Sequence, residues 1–251
     1  MKQFDLGHHS AIGTREDQQD AFLILEDGDC LLAAVCDGMG GLSEGGRASN
    51  TAVKTLGKLY RQKPQEQSTN DFFMLSVDIL DESVFGLRQS SANRQPSGTT
   101  IVSAGIRGNL LHWLSVGDSR LYIIRNNEIV CATTDHNYML LLNNSVKTGE
   151  ISPEEYKKEQ CKGDALISYI GMGGVDLMDY NKTAFVLREN DVLILTSDGL
   201  YRNVSDEEIK SIATRGETAQ NIADLLGEST RKNAIYEQDN TTVIVIKYRG
   251  K

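Results

Sequence analysis

The sequence predicts an α+β protein, a central sandwich of two antiparallel β-sheets flanked by pairs of α-helices in four layers, α-β-β-α. Three observations carry this. Nine short apolar or alternating segments read as strands. Several are joined by polar turns too short for a parallel crossover, which needs a dozen residues or more. Segments of helical periodicity come in pairs between the strands.

The strands are expected at Phe22–Leu25, Leu31–Cys36, Thr100–Ile106, Leu110–Val116, Leu121–Ile124, Ile129–Ala132, Ala184–Leu187, Val192–Thr196 and Val243–Ile246. Asp27-Gly28-Asp29, Arg107-Gly108-Asn109, Asn126-Asn127 and Glu189-Asn190-Asp191 read as hairpin turns, and Asn and Gly tolerate the positive φ such turns need. A doubly wound nucleotide-binding fold is thereby disfavoured. Apolar residues recur at helical spacing in Glu44–Tyr60 (Ala48, Ala52, Val53, Leu56) and in Asn70–Arg88 (Phe73, Val77, Leu80, Val84). Ser205 with Glu208 resembles a capping start for a helix through Ile209–Ala213, and Thr218–Lys232 forms its neighbour. Residues 137–168 fit neither pattern; they read as an insertion with one short helix at Pro153–Gln160.

A chain of 251 residues suits one such domain, or at most two small ones. The net charge of −9 argues against a nucleic-acid partner, which calls for basic surface. The longest apolar stretches fall far short of the roughly 20 residues of a membrane helix, so no membrane insertion is expected. The N-terminus lacks the apolar core of a signal peptide. Cys30, Cys36, Cys131 and Cys161 are scattered, with no paired spacing, as expected of free thiols in the cytoplasm.

The aspartates define the candidate site. Asp37, Asp118 and Asp198 fall at or just past the C-terminal ends of strands, whereas Asp20 and Asp239 lie at or before N-terminal ends. In antiparallel sheets such alternate ends can lie on the same edge. A lone strand-end Asp is most often a turn or cap residue; five of them on one edge would repel unless cations neutralise them. Hard dications take oxygen ligands. Gly-Met-Gly-Gly occurs twice, at Gly38–Gly41 and Gly171–Gly174, but without the spacing of a nucleotide-binding loop.

Seven motifs, taken in order, resemble the metal-dependent Ser/Thr protein phosphatases of type 2C, in their bacterial form. They are Arg15-Glu16-Asp17-Gln18-Gln19-Asp20, Val35-Cys36-Asp37-Gly38-Met39-Gly40-Gly41, Ser97-Gly98-Thr99-Thr100, Val116-Gly117-Asp118-Ser119-Arg120, Asp135-His136, Thr196-Ser197-Asp198-Gly199, and Asp239-Asn240 with Thr242. Spanning residues 15 to 242, they cover essentially the whole chain.

The resemblance implies a single catalytic domain over residues 1–251, with a flap-like insertion at about 137–168. It implies hydrolysis of phosphoserine and phosphothreonine in proteins by a metal-activated water, reversing a Ser/Thr kinase. It further implies two Mn²⁺ or Mg²⁺ ions in a core site, with a third beside them. Asp37 would bridge the core pair, with the Gly38 carbonyl on one ion and Asp198 and Asp239 completing the other. Asp20 would act through water, and Asp118 would help hold the third ion. Arg15 would grip the phosphate with a bidentate fork. The expected partners are a phosphorylated protein and its kinase, with the chain itself a monomer. Two departures stand out. Gln18-Gln19 replaces the family's Asn-Glu, removing a negative charge near the metals. Met39 stands where many eukaryotic members carry a histidine, as it does in many bacterial members, and has no proton to give; His136 reads as structural. The rival reading is a weak or inactive member that binds phosphoproteins or a partner. A calcium-stabilised structural domain lacks a calcium loop.

Overall fold

The computed structural model describes residues 2–40, 44–90, 97–234 and 237–250; Gly41, which ends the first Gly-Met-Gly-Gly, lies outside them. In chain order β1 (Phe4–Ala11), β2 (Asp20–Asp27) and β3 (Cys30–Met39) precede α1 (Glu44–Gln62), α2 (Thr69–Phe85) and α3 (Leu87–Ser90). Next come β4 (Gly98–Thr99), β5 (Ile101–Arg107), β6 (Leu110–Val116), β7 (Arg120–Arg125) and β8 (Glu128–Cys131). Helices α4 (Tyr138–Thr148) and α5 (Pro153–Glu159) are followed by β9 (Asp179–Tyr180), β10 (Phe185–Val186) and β11 (Val192–Thr196). The order closes with α6 (Asp198–Tyr201), α7 (Asp206–Arg215), α8 (Ala219–Asn233) and β12 (Thr241–Tyr248).

The strands form two antiparallel sheets, ordered β1-β12-β11-β7-β8 and β10-β6-β5-β3-β2. Side-chain alternation sorts each central strand into two cores. Leu31, Ala33 and Val35 of β3 face the other sheet and meet Leu193, Leu195, Ile244 and Ile246. Leu32, Ala34 and Cys36, on the opposite face, pack under Leu56 of α1 and Phe73, Val77 and Leu80 of α2. Val192, Ile194, Val243 and Val245 likewise meet Ile209 and Ile212 of α7 and Ile222 and Leu226 of α8. Both faces of these strands are buried, which explains their continuous apolar runs; each such Leu or Ile contributes about 1.5–3 kcal/mol. The four predicted layers are present.

Three features depart from the sequence expectation. The Glu189-Asn190-Asp191 turn is not a hairpin: β10 pairs with β6 in one sheet, and β11 pairs with β7 and β12 in the other. Stacked sheets lie about 10 Å apart, a gap three residues span without pairing their flanks. Buried Asp191 secures the crossover by accepting from Arg125 Nε at 2.8 Å and from the Arg188 backbone at 2.7 Å. Strand β1, unforeseen because His8 and His9 break its apolar alternation, pairs with β12 from Phe4↔Tyr248 to Ala11↔Thr241. Helix α4 was also unforeseen. Its Met139-Leu140-Leu141-Leu142 run has no amphipathic period, and only Leu142 is buried.

The second Gly-Met-Gly-Gly has a structural use. The carboxylate of Asp81, buried on α2, accepts from the backbone N–H of Gly171 at 2.6 Å, Gly173 at 3.1 Å and Gly174 at 2.7 Å. All three glycines have positive φ, so the loop wraps an anion as a nest of N–H groups.

Candidate active site

The β2–β3 hairpin sets the first pair of acids. Its register places Asp20 directly opposite Asp37. Asp37 is held by its backbone: its N–H donates to Thr100 Oγ1 at 3.0 Å, and its carbonyl accepts from Thr100 N–H at 2.8 Å and Thr99 Oγ1 at 2.9 Å. That is the task of the Ser97–Thr100 motif. Thr100 Oγ1 also lies 2.7 Å from Ser119 Oγ, which joins this strand end to the turn bearing Asp118.

The other motifs build the same edge. Arg120 forks onto Asp135, with Nε at 2.9 Å and Nη2 at 2.7 Å, and covers the Tyr201 ring. Tyr201 Oη donates to the Asp118 carbonyl at 3.0 Å. Ser197 Oγ donates to Asp20 Oδ2 at 2.7 Å and accepts from the Thr242 backbone at 3.0 Å. Asn240 Nδ2 donates to the carbonyls of Ile12 and Asp17, and its Oδ1 accepts from Gln19 N–H at 2.7 Å. The loop carrying Arg15 is thereby tied to the segment that carries Asp239 into β12. The glycines after Asp37 and Asp198 serve close backbone approach: a Cβ on Gly38 would stand 2.1 Å from the Gly45 carbonyl oxygen, and one on Gly199 2.1 Å from that of Asn240.

These elements enclose a cavity of about 360 Å³ lined by Arg15, Asp37, Gly38, Asp118, Asp198 and Asp239, among others. Asp20 lies behind the wall, 5% exposed. All seven residues singled out from the sequence therefore meet at one place. Met39 and Gln19 also line the cavity, while none of the histidines does. His136 is buried, its Nδ1 accepting from Gly117 N–H at 3.2 Å; burial holds its pKa below the ordinary value.

Burial and mutual repulsion raise the carboxyl pKa values of Asp20, Asp37, Asp118 and Asp198. Asp20 is pushed up to about 7 by burial, with Asp198 and Asp239 adding to the rise and the Ser197 and Thr242 hydrogen bonds opposing it. Asp118 also reaches about 7, through burial and then the charges of Asp198 and Asp135. Asp37 rises well above its usual range through burial and the charges of Asp20, Asp198, Asp118 and Asp239. Asp198 is raised by burial, against the pull of Arg202.

The donor set fits hard cations. Among the described residues, Asp20 Oδ1 and Asp198 Oδ1 are buried without a hydrogen-bond partner, an arrangement costly unless a cation completes it. Among the described residues no three His, Cys, Asp or Glu groups close on a single point. An ion that keeps several waters beside one or two carboxylates needs no such cage. Two arginines hold the rim. Arg15 Nη2 donates to Asp239 Oδ2 at 2.8 Å, and Arg202 Nε lies 2.6 Å from Asp198 Oδ2. Arg202 and its partner Asp164 carry no signal in the sequence: Asp198 reads there as a strand end, whereas it opens the one-turn helix α6, just past β11, and brings position 202 back over the site.

The fold and this acid-lined edge are those of a phosphatase that works with metal ions, and the comparisons agree. The family model for protein phosphatase 2C matches residues 9–234, and the chain belongs to that family. Serine/threonine phosphatase stp of Listeria monocytogenes is 27% identical over 219 residues, 86% of this chain and 84% of that protein. Protein phosphatase PhpP of Streptococcus pneumoniae is 32% identical over 182 residues, 72% of this chain and 71% of that one. The S. agalactiae serine/threonine phosphatase structure has a TM-score of 0.85 and 27% identity, covering 98% of this chain and 100% of that chain. The chain is a metal-dependent protein serine/threonine phosphatase. Nothing favours the inactive alternative.

Proposed function

We propose that hydrolysis runs on two dications, Mn²⁺ or Mg²⁺, held by Asp37, the Gly38 carbonyl, Asp198 and Asp239, with Asp20 acting through water. The observation that carries this is the pair of orphaned buried oxygens on Asp20 and Asp198, set among carboxylates that repel one another. When bound, the ions supply an activated water and a polarised phosphoryl oxygen. The chain's residues do the rest. Thr99 and Thr100 fix Asp37 through its backbone, so its carboxylate has a set position at the cavity. Arg15, whose side chain is 52% exposed, keeps donors free of Asp239 to grip the incoming phosphate. Met39 offers no proton, so the leaving oxygen takes its proton from a cavity water.

The 1–251 chain then acts as one catalytic unit, and the 137–168 insertion as a flap beside the substrate; Asp164 and Leu166 from that segment form part of the cavity wall. The partners are a phosphoprotein and the kinase that phosphorylates it. Among the described residues no helix is long and apolar enough to cross a membrane. Cys30, Cys36, Cys131 and Cys161 are all free thiols, which suits action in the cytoplasm.

Purified protein releases phosphate from a phosphothreonine peptide in Mn²⁺ or Mg²⁺ and stops in EDTA; no metal-dependent release would sink the reading. Arg15→Ala raises KM for the peptide by about tenfold, with a smaller change in kcat, because it removes binding rather than ion ligation. An unchanged KM would remove Arg15 from the phosphate site.

A further inference from the structure

Arg202 joins three carboxylates that come from three separate segments. Its Nε lies 2.6 Å from Asp198 Oδ2, its Nη2 3.9 Å from Asp118 Oδ2, and its Nη1 2.7 Å from Asp164 Oδ2. The first two side chains are 15% and 7% exposed; the third, on the 137–168 insertion, is 72% exposed. The planar guanidinium points a different nitrogen at each, which a lysine ammonium on a single stem does not reproduce.

The position is built rather than incidental. The Arg202 backbone N–H donates to the Asp198 carbonyl at 3.1 Å. Tyr201 beside it is anchored on the Asp118 carbonyl, and its ring is covered by Arg120. On the other side, Asn203 Nδ2 donates to the Gly199 carbonyl at 2.9 Å, and Asn233 Nδ2 donates to the Asn203 carbonyl at 3.1 Å.

We propose that Arg202 is a tethered cation of this active site: it takes the Asp118–Asp198 side of the cavity in place of a further dication, and it pins the insertion to the rim through Asp164. The inference rests on the reading of the cavity as an ion site. A dication entering between Asp118 and Asp198 has to displace a cation that the chain itself keeps at high effective concentration. An exposed pair such as Arg202–Asp164 holds little alone. Here the guanidinium is already ordered by Asp198, so Asp164 gains a fixed partner. Ion stoichiometry and the closure of the insertion therefore depend on one side chain.

The test counts ions and watches the insertion in the full chain. Equilibrium dialysis against millimolar Mn²⁺, followed by elemental analysis, gives one more bound ion in Arg202→Gln than in wild type. Adding Asp118→Asn removes that gain. Hydrogen exchange at residues 160–166 quickens by about tenfold in both Arg202→Gln and Asp164→Asn, while Asp164→Asn keeps the wild-type ion count. Equal counts in wild type and Arg202→Gln overturn the proposal. So does a wild-type count that falls on Asp118→Asn alone, since Asp118 would then hold an ion with Arg202 in place. A wild type that binds no Mn²⁺ overturns the ion site itself, an outcome distinct from both. If circular dichroism shows Arg202→Gln unfolded, Arg202→Lys carries the test: the count stays at the wild-type value and exchange in the insertion quickens. A Lys variant that gains an ion, or that exchanges as slowly as wild type, overturns the proposal.

Discussion

Asp37→Asn yields a folded protein whose metal-dependent turnover is lower by about 10³-fold or more. The backbone at this position is held by Thr99 and Thr100, so the amide side chain starts from the place the carboxylate had. The charge is what disappears. Asp37 is the acid that senses Asp20, Asp198, Asp118 and Asp239 together, and its pKa stands well above the usual range because of burial and those four neighbours. Removing its charge withdraws the central ligand and also relieves the repulsion. The variant is therefore less active than wild type and, in EDTA at neutral pH, more heat-stable. That combination separates loss of the site from loss of the fold: turnover within tenfold of wild type sinks the assignment, and a lower melting temperature in EDTA sinks the electrostatic argument.

Much of this site was legible because strand ends carry local signals. Asp-Gly and Asp-Ser pairs mark where strands stop, and the tight Gly28-Asp29 turn leaves one register for β2 and β3, the one in which Asp20 faces Asp37. The central strands were legible because both of their faces meet a core, so that Leu31–Cys36 and Val192–Thr196 are apolar without a break. What escaped depends on distant packing. Arg202 meets Asp164 across 38 residues, and that contact exists only once the insertion has folded over α6. Helix α4 turns a single residue of its Met139–Leu142 run inward, so no period shows. The short link before β11 reads as a hairpin in the sequence, because turn length alone does not say whether two strands share a sheet or face one another across the core.

The ion-free protein loses stability as pH rises from about 4 to about 7, and a bound dication restores it. Asp20 and Asp118 ionise near 3.8 when unfolded and near 7 when folded. Between those values the native state carries protons that the unfolded chain has released, so unfolding is favoured by raising the pH. Each group's contribution is fully present below 3.8 and is lost as pH climbs through about 7, at up to about 1.4 kcal/mol per pH unit. Dications in the cavity favour the ionised form of the carboxylates around them, Asp20 above all, so their effect grows with pH. Mn²⁺ at 100 times its dissociation constant adds about 2.7 kcal/mol, which raises the melting temperature by about 5–10 °C for a domain of this size. Buried His136, held neutral, contributes the opposite slope below its ordinary 6.5. The measurement is therefore a difference: wild type minus Asp118→Asn, melted in EDTA from pH 5 to pH 8. The substitution flattens the decline and raises the melting temperature at pH 8, and the gap between the two proteins narrows toward pH 5, closing only below about 3.8. A wild type that gains stability in EDTA across that range relative to Asp118→Asn, or that responds to Mn²⁺ equally at both ends, would show that these carboxylates do not share the buried, mutually repelling site described above.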